Sequence, residues 1–176
     1  MSMNAVKSVM LLASFAFLIA SCSTVDYRPP SQKSDKSTSR APKNGVDKDQ
    51  RLREEITQHA KKYVGVKYKY AGKSPKGFDC SGFTGYVFGK FDINLSASSQ
   101  AQATTGKKIP LNKARSGDLL FFGKHGKINH VALIVSNNRD GIEVINSTSS
   151  KGVMIQNVTP SDYWKPRIMF ARDVMP

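Results

Sequence analysis

The chain has 176 residues, of which 39% are hydrophobic and 9% aromatic, with 27 Lys and Arg against 13 Asp and Glu. This length suits one domain with its own core, and the composition excludes collagen, a coiled coil, a wholly disordered chain and a multispan membrane protein. The formal net charge of +14 favours an anionic partner, such as nucleic acid, an acidic membrane surface or an acidic polymer.

An apolar run from Val9 to Ala20 lies near the N-terminus. It is shorter than the ~20 residues of a membrane span, so it predicts a secretory signal peptide. Small residues directly precede Cys22, an order that resembles a bacterial lipobox. This resemblance implies a lipoprotein signal peptide over residues 1–21 and lipidation of Cys22, which anchors the protein in a membrane. Because Ser23 follows, it further implies the cell envelope, at the outer membrane facing the periplasm. An ordinary secretory signal with an incidental cysteine is the alternative.

The segment after Cys22 is rich in Ser, Pro, Lys and Asp up to residue 50, with Tyr27 as its aromatic residue. Such a composition cannot bury enough apolar surface to fold, so a disordered tether is predicted. The expected organisation is therefore a lipidated cysteine and tether over residues 22–50 and one domain over residues 51–176.

The first predicted helix spans residues 51–64, where Leu52, Ile56 and Ala60 recur at helical spacing. Asp47 or Asp49 is its expected N-cap.

A second helix is predicted to begin at Cys80, because Asp79 before it is a natural N-cap. At that position the free backbone N–H groups and the positive end of the helix dipole favour a thiolate. Gly82 and Gly85 are poor helix formers, which fits a helix packed closely against a sheet.

The second half of the chain predicts strands joined by short turns, and hence an antiparallel meander; these strands are residues 117–122, 130–135, 142–146, 153–158 and 167–174. Helices followed by strands indicate an α+β domain. His130 and Asn146 are equally far from residue 138, the centre of one predicted turn. A hairpin there would place them opposite each other, so that the amide accepts from one imidazole nitrogen and leaves the other free.

A cysteine at a helix start, a histidine on a strand and a polar residue beside it form the arrangement of a cysteine nucleophile, its base and the residue that orients the base. A zinc site built from Cys80, His125 and His130 is the alternative, but the paired spacing of structural zinc ligands is missing. His125 is expected to be exposed in its loop. The basic residues are spread along the domain, which is not the pattern of a nucleic-acid binder.

Several motifs resemble the NlpC-type cell-wall cysteine peptidases, in the order that the family shows: Tyr68 to Gly72, Asp79 to Gly82, Ser116 to Phe122, Asn129 to Ala132 and Asn146 to Val153. The resemblance covers roughly residues 56–172. It implies a papain-like fold in which N-terminal helices, including the helix that begins at the nucleophile, pack on a mainly antiparallel sheet.

By the same resemblance, Cys80 is the nucleophile and His130 the general base. Asn146 occupies the third catalytic position, where the family more often has histidine. Tyr68 lines the site, and Asp79 and Ser81 flank the nucleophile and can contact substrate. For Asp79, a cap without another role is an equal interpretation. No metal, no organic cofactor and no disulfide are implied.

The function implied is a lipid-anchored peptidoglycan endopeptidase that hydrolyses stem peptides, at the bond between γ-D-glutamate and a diamino acid. A monomer that binds no nucleic acid is expected. Two alternatives remain: a catalytically silent lipoprotein that binds the envelope, and another papain-like activity such as an amidase or acyltransferase.

Overall fold

Helices precede a large sheet in residues 44–176, which are the part of the chain that the computed structural model describes. The α-helices are α1 (Asn44–Lys61), α2 (Cys80–Gly89) and α3 (Ser99–Gln102). The strands are β1 (Lys73–Ser74), β2 (Gly77–Phe78), β3 (Lys107–Ile109), β4 (Leu119–Lys124), β5 (Lys127–Asn138), β6 (Gly141–Thr148), β7 (Gly152–Asn157) and β8 (Ile168–Asp173). Short 3-10 helices occur at Leu111–Lys113 and Lys165–Arg167. The predicted α+β class is confirmed. The predictions on the signal peptide, Cys22 and most of the tether lie outside the described residues.

The main sheet is six-stranded and antiparallel, in the order β3-β8-β4-β5-β6-β7. The predicted meander is present from β4 to β7. The last strand does not continue it, because β8 returns to pair with β4 on the opposite side, and β3 pairs with the outer edge of β8. A separate two-stranded hairpin, β1-β2, immediately precedes α2. Strands β4 and β5 therefore lie at the centre of the sheet.

Helix α1 begins earlier than predicted, inside the segment assigned to the tether, and ends at Lys61 rather than Val64. Asp49 is consequently a residue within the helix and not its cap. One turn further on, Arg53 is 1% exposed and donates to three carboxylates, those of Asp49, Asp118 and Asp173. The N–O distances to Asp118 and Asp173 are both 2.6 Å. This cluster fixes α1 to the sheet through β8 and the turn that enters β4.

Both faces of the sheet are buried, which explains why its central strands are apolar at nearly every position. One face packs against the helices, with side chains such as Phe83, Phe121 and Val131. The other face packs against the segments before β4 and β8, with side chains such as Phe122 and Trp164. Alternate residues of each strand therefore enter different cores. No helix within residues 44–176 is long and apolar enough to cross a membrane.

Candidate active site

The start of α2 places Cys80 as the sequence predicts. Asp79 is the N-cap, and its carboxylate accepts from the Gly82 N–H at 2.6 Å. Gly82 is required here because a Cβ on it would lie 2.0 Å from the carbonyl oxygen of Gly72. The Asp79 N–H also donates to that Gly72 oxygen. The close contact of Gly82 is thus with the loop before β1, not with the sheet as expected, and it holds the helix start against that loop.

The thiol of Cys80 is surrounded by backbone N–H groups and yet has a raised pKa. Burial raises the pKa of the thiol most, the nearby N–H of Val131 lowers it, and the negative charge of Asp79 raises it further. The N–H groups of Ser81 and of Cys80 itself also favour the thiolate. The N–H groups at the helix start favour the thiolate as expected, but desolvation of the buried sulfur outweighs them, so the pKa of the thiol is raised overall.

The sheet opens where α2 meets it. The ladder between β5 and β6 extends from their turn as far as the pair Leu133–Ile145, whereas β6 stays paired with β7 up to Thr148. The space between the separated strands is taken by the residues before α2, where Ser147 Oγ donates to the Phe78 carbonyl at 2.8 Å. This opening lets the Cys80 sulfur reach the backbone of Val131, the residue that follows His130.

The imidazole of His130 lies beside two aromatic rings, those of Phe122 and Trp164. Its centroid is 4.9 Å from that of Trp164 and 5.7 Å from that of Phe122. This enclosure lowers the pKa of His130 to about 4, because burial disfavours the charged ring. The resting pair is therefore a neutral thiol and a neutral imidazole at neutral pH.

Asn146 is fully buried and contacts His130, with 2.9 Å between its Nδ2 and the imidazole Nε2. The register differs from the predicted one. In the register of Leu133 with Ile145, Asn146 lies opposite Ala132, so His130 is its diagonal neighbour. A shift of two positions keeps both side chains on one face of the sheet, which is why they still meet.

The direction of this hydrogen bond is set by two residues that the sequence analysis did not identify. Trp164 Nε1 donates to Gln156 Oε1 at 3.1 Å, and Gln156 Nε2 donates to Asn146 Oδ1 at 3.2 Å. An indole N–H can only donate, so the two amides must be oriented this way round. Asn146 therefore donates to His130 Nε2, and the proton of the neutral imidazole resides on Nδ1. The prediction that the Asn146 amide accepts from the imidazole is wrong for this state.

The opposite direction is accessible at the cost of one hydrogen bond. If Asn146 turns its carbonyl toward Nε2, its amide nitrogen faces Gln156, which must turn as well. Gln156 then presents its nitrogen to Trp164 and loses that bond. A neutral hydrogen bond contributes about 1 kcal/mol, so both tautomers of His130 lie within reach.

Tyr68, Asp79 and Ser81 all lie near the thiol. Burial raises the pKa of Tyr68 most, and the charges of Cys80 and Asp79 add to this, which places its phenol beside both. Ser81 is buried, and its hydroxyl makes hydrogen bonds to the Ala97 carbonyl at 3.0 Å and to Asp79 at 3.1 Å. His125 is exposed, as predicted. Among residues 44–176, no three His, Cys, Asp or Glu side chains come together as metal ligands.

A cavity of about 580 Å³ adjoins the imidazole and is lined by His130, Gln156 and Trp164, together with the β6–β7 turn and residues 163–167. Gln156 and Trp164 had no local motif that could identify them. Trp164 is the chain's single tryptophan, which is the one sequence feature that singles it out.

Comparison with known proteins identifies one family model, described as the NlpC/P60 family, over residues 65–173. The gamma-DL-glutamyl hydrolase of Bacillus subtilis is 40% identical over 124 residues, which are 68% of this chain and 29% of that protein. The murein DD-endopeptidase MepS/murein LD-carboxypeptidase of Escherichia coli is 33% identical over 114 residues, which are 64% of this chain and 58% of that protein. The match thus spans less than a third of the Bacillus protein and less than two thirds of the E. coli one.

Solved structures show the same fold. The NlpC/p60 domain of the peptidoglycan hydrolase SagA aligns with a TM-score of 0.60 and 32% identity, covering 69% of this chain and 97% of that domain. A Staphylococcus aureus structure described as similar to lipoprotein, NLP/P60 family, aligns with a TM-score of 0.62 and 28% identity, covering 79% of this chain and 45% of that one.

Proposed function

The chain belongs to the NlpC/P60 family, and we propose that it is a lipid-anchored cysteine peptidase that hydrolyses peptidoglycan stem peptides in the bacterial envelope. The scissile bond in this proposal joins γ-D-glutamate to a diamino acid. The name of the B. subtilis relative, a gamma-DL-glutamyl hydrolase, supports a bond of this type. The positive charge of the chain suits a carboxylate-rich polymer.

In the proposed reaction, the Cys80 sulfur attacks the γ-carbonyl carbon and its proton passes to His130. This step needs the tautomer in which Nδ1 is free, with Asn146 presenting its carbonyl oxygen to Nε2. Backbone N–H groups at the start of α2 stabilise the oxyanion. The C–N bond then breaks, His130 protonates the leaving amine, and a thioester remains. Water hydrolyses the thioester, giving a carboxylate and restoring the thiol.

The observation that carries the proposal is the closeness of the Cys80 thiol, at the capped start of α2, to the backbone N–H of Val131. It seats the thiol beside the residue that follows the enclosed imidazole. The raised pKa of Cys80 and the lowered pKa of His130 support a mechanism in which the proton moves during attack rather than a preformed ion pair. Tyr68, Asp79 and Ser81, which surround the thiol, are proposed to contact the acyl part of the substrate.

The proposed anchor is a lipid on Cys22, and the proposed tether lets the domain reach the wall from the outer membrane. The lipobox-like order before Cys22 supports it. Growth with a labelled fatty acid is expected to label the protein and not its Cys22→Ser variant. Equal labelling of both, or of neither, would refute the anchor.

The hydrolysis is tested by incubating purified wall with the protein and identifying the products by mass spectrometry. Fragments cut after γ-D-glutamate are expected with wild type and not with Cys80→Ala. A folded wild type that releases nothing would favour a silent binding role. A product cut between glycan and peptide would indicate an amidase instead.

A further inference from the structure

The cavity beside His130 has a strongly positive lining. It is lined by two cations, Lys151 on the β6–β7 turn and Arg167 before β8, and by no acidic side chain. Within residues 44–176, neither cation has a carboxylate partner. The ion pairs of the domain are instead made by Arg53 and Arg115 with aspartate carboxylates. The cavity therefore presents two uncompensated positive charges.

The fold holds the Arg167 guanidinium and the backbone of the turn that carries Lys151 in place. The guanidinium of Arg167 lies 3.9 Å from the ring centroid of Tyr163 and donates to the carbonyl oxygen of the same residue. The turn that carries Lys151 is tied down by its N–H, which donates to Thr148 Oγ1 at 3.2 Å. It is also tied through Gly152, where a Cβ would meet the Val66 carbonyl oxygen at 2.2 Å. The Arg167 charge and the turn that carries Lys151 thus border a pocket whose wall is held by the fold.

The cavity lies on the side of the site where the amine half of the substrate is expected to bind. In a thiol hydrolysis the imidazole protonates the leaving amine, so the amine half of the substrate lies on the imidazole side. Of the two reacting side chains, only His130 lines this cavity, whereas Cys80 does not. A volume of about 580 Å³ accommodates one or two amino-acid residues.

We propose that this cavity binds a carboxylate of the leaving half of the substrate, and that Lys151 and Arg167 make the protein selective for a leaving residue that carries this charge. The inference rests on the proposed function, because it takes the leaving amine to lie beside His130. Arg167 forms a paired hydrogen bond with the carboxylate, a geometry for which a guanidinium is suited. Lys151 adds a second charge from the β6–β7 turn, and the rings of Tyr163 and Trp164 pack against the aliphatic part of the residue.

The test uses two tripeptides, L-alanyl-γ-D-glutamyl-meso-diaminopimelate and the same peptide with the carboxylates of the last residue converted to carboxamides. Binding is measured by calorimetry with the full-length Cys80→Ala protein, which does not require cleavage. The acidic peptide is expected to bind about tenfold more tightly, the factor for a charged hydrogen bond. Adding Lys151→Gln or Arg167→Gln is expected to remove most of that preference. The matched control is Lys165→Gln. Lys165 is an exposed lysine in the 3-10 helix that also contains Arg167, but it does not line the cavity, so this variant is expected to keep the preference for the acidic peptide.

Equal affinity for the two peptides, no binding, or a preference that survives both cavity substitutions would overturn the inference. A preference that depends on both cations, in a protein whose wild type cleaves neither peptide, would leave the cavity's ligand intact and refute the proposed hydrolysis. Cleavage of both peptides by wild type with equal kcat/KM would support the proposed hydrolysis and refute the carboxylate selectivity of the cavity.

Discussion

Two buried polar networks in this domain differ in charge and in what they can do. The first, around Arg53, joins α1 to the sheet through the carboxylates of Asp49, Asp118 and Asp173. The second is a row of neutral groups that leads from Trp164 to the imidazole of His130. Both satisfy polar groups that would otherwise be costly to bury.

The difference between them shows how burial can serve stability in one place and reactivity in another. Reversing the charged network is impossible, because a guanidinium has donors only and a carboxylate has acceptors only. The amide groups of the neutral network can turn over, at the cost of the Trp164 bond. A fixed charged cluster therefore holds the fold, whereas a reversible neutral one controls the proton of the proposed base.

The largest expected effect is on the charged network. Replacing Arg53 with leucine leaves the fully buried Asp118 without its cation, which is expected to destabilise the domain by about 3–5 kcal/mol. Arg115→Leu is the matched control. Arg115 pairs with Asp49 of the same network but is 48% exposed, so its loss is expected to cost at most about 1 kcal/mol. Denaturant unfolding of both variants measures the difference, and equal losses would show that the network is not a single buried unit.

The next effect is the dependence of stability on pH through His130. The pKa of the folded ring is about 4, whereas that of an unfolded histidine is about 6.5. As the pH falls below 6.5 the unfolded chain takes up a proton that the folded protein does not. Stability from this group is therefore complete above pH 6.5 and falls by about 3 kcal/mol as the pH approaches 4. Unfolding of wild type and of His130→Gln at several pH values measures it. Parallel curves for the two proteins would refute the lowered pKa.

The smallest of these effects concerns the direction of the neutral network. Trp164→Phe keeps a ring against His130 but removes the indole donor, so Gln156 and Asn146 can turn freely. Wild-type His130 is expected to carry its proton on Nδ1, and the variant to gain the Nε2–H form. Hydrolysis at neutral pH should rise by up to about fivefold, the rate equivalent of ~1 kcal/mol.

Nitrogen NMR of histidine-labelled protein measures the tautomer directly, because the chain has three histidines and His130→Gln assigns the relevant signal. A wild-type signal with the proton on Nε2 would contradict the direction deduced from the indole. Faster hydrolysis with an unchanged tautomer would show that Trp164 acts on the substrate instead.

The features that sequence predicted correctly depend on local chemistry. Asp79 and Cys80 were located because an N-cap is a short-range pattern, and the family was recognised from motifs of the same kind. The predicted meander was correct where turns are short, from β4 to β7. These features need no knowledge of distant contacts.

The features that sequence missed depend on contacts that only the folded chain creates. Arg53 resembles an ordinary charged helix residue until Asp118 and Asp173 are brought to it. The effect of the helix start on Cys80 is local and was predicted, but the burial that raises the pKa of its thiol comes from distant parts of the chain. Gln156 and Trp164 orient the Asn146 amide through their hydrogen bonds to it and to each other, and no sequence motif predicts those bonds.

The central claim is that Cys80 and His130 act as one unit on a γ-D-glutamyl bond. A double-mutant cycle tests it most directly, by measuring kcat/KM on a stem tripeptide for wild type, Cys80→Ala, His130→Gln and the double variant. Each single change is expected to abolish nearly all hydrolysis, and the double variant to be no slower than either single variant. Cleavage retained by Cys80→Ala, or losses that multiply in the double variant, would contradict the claim.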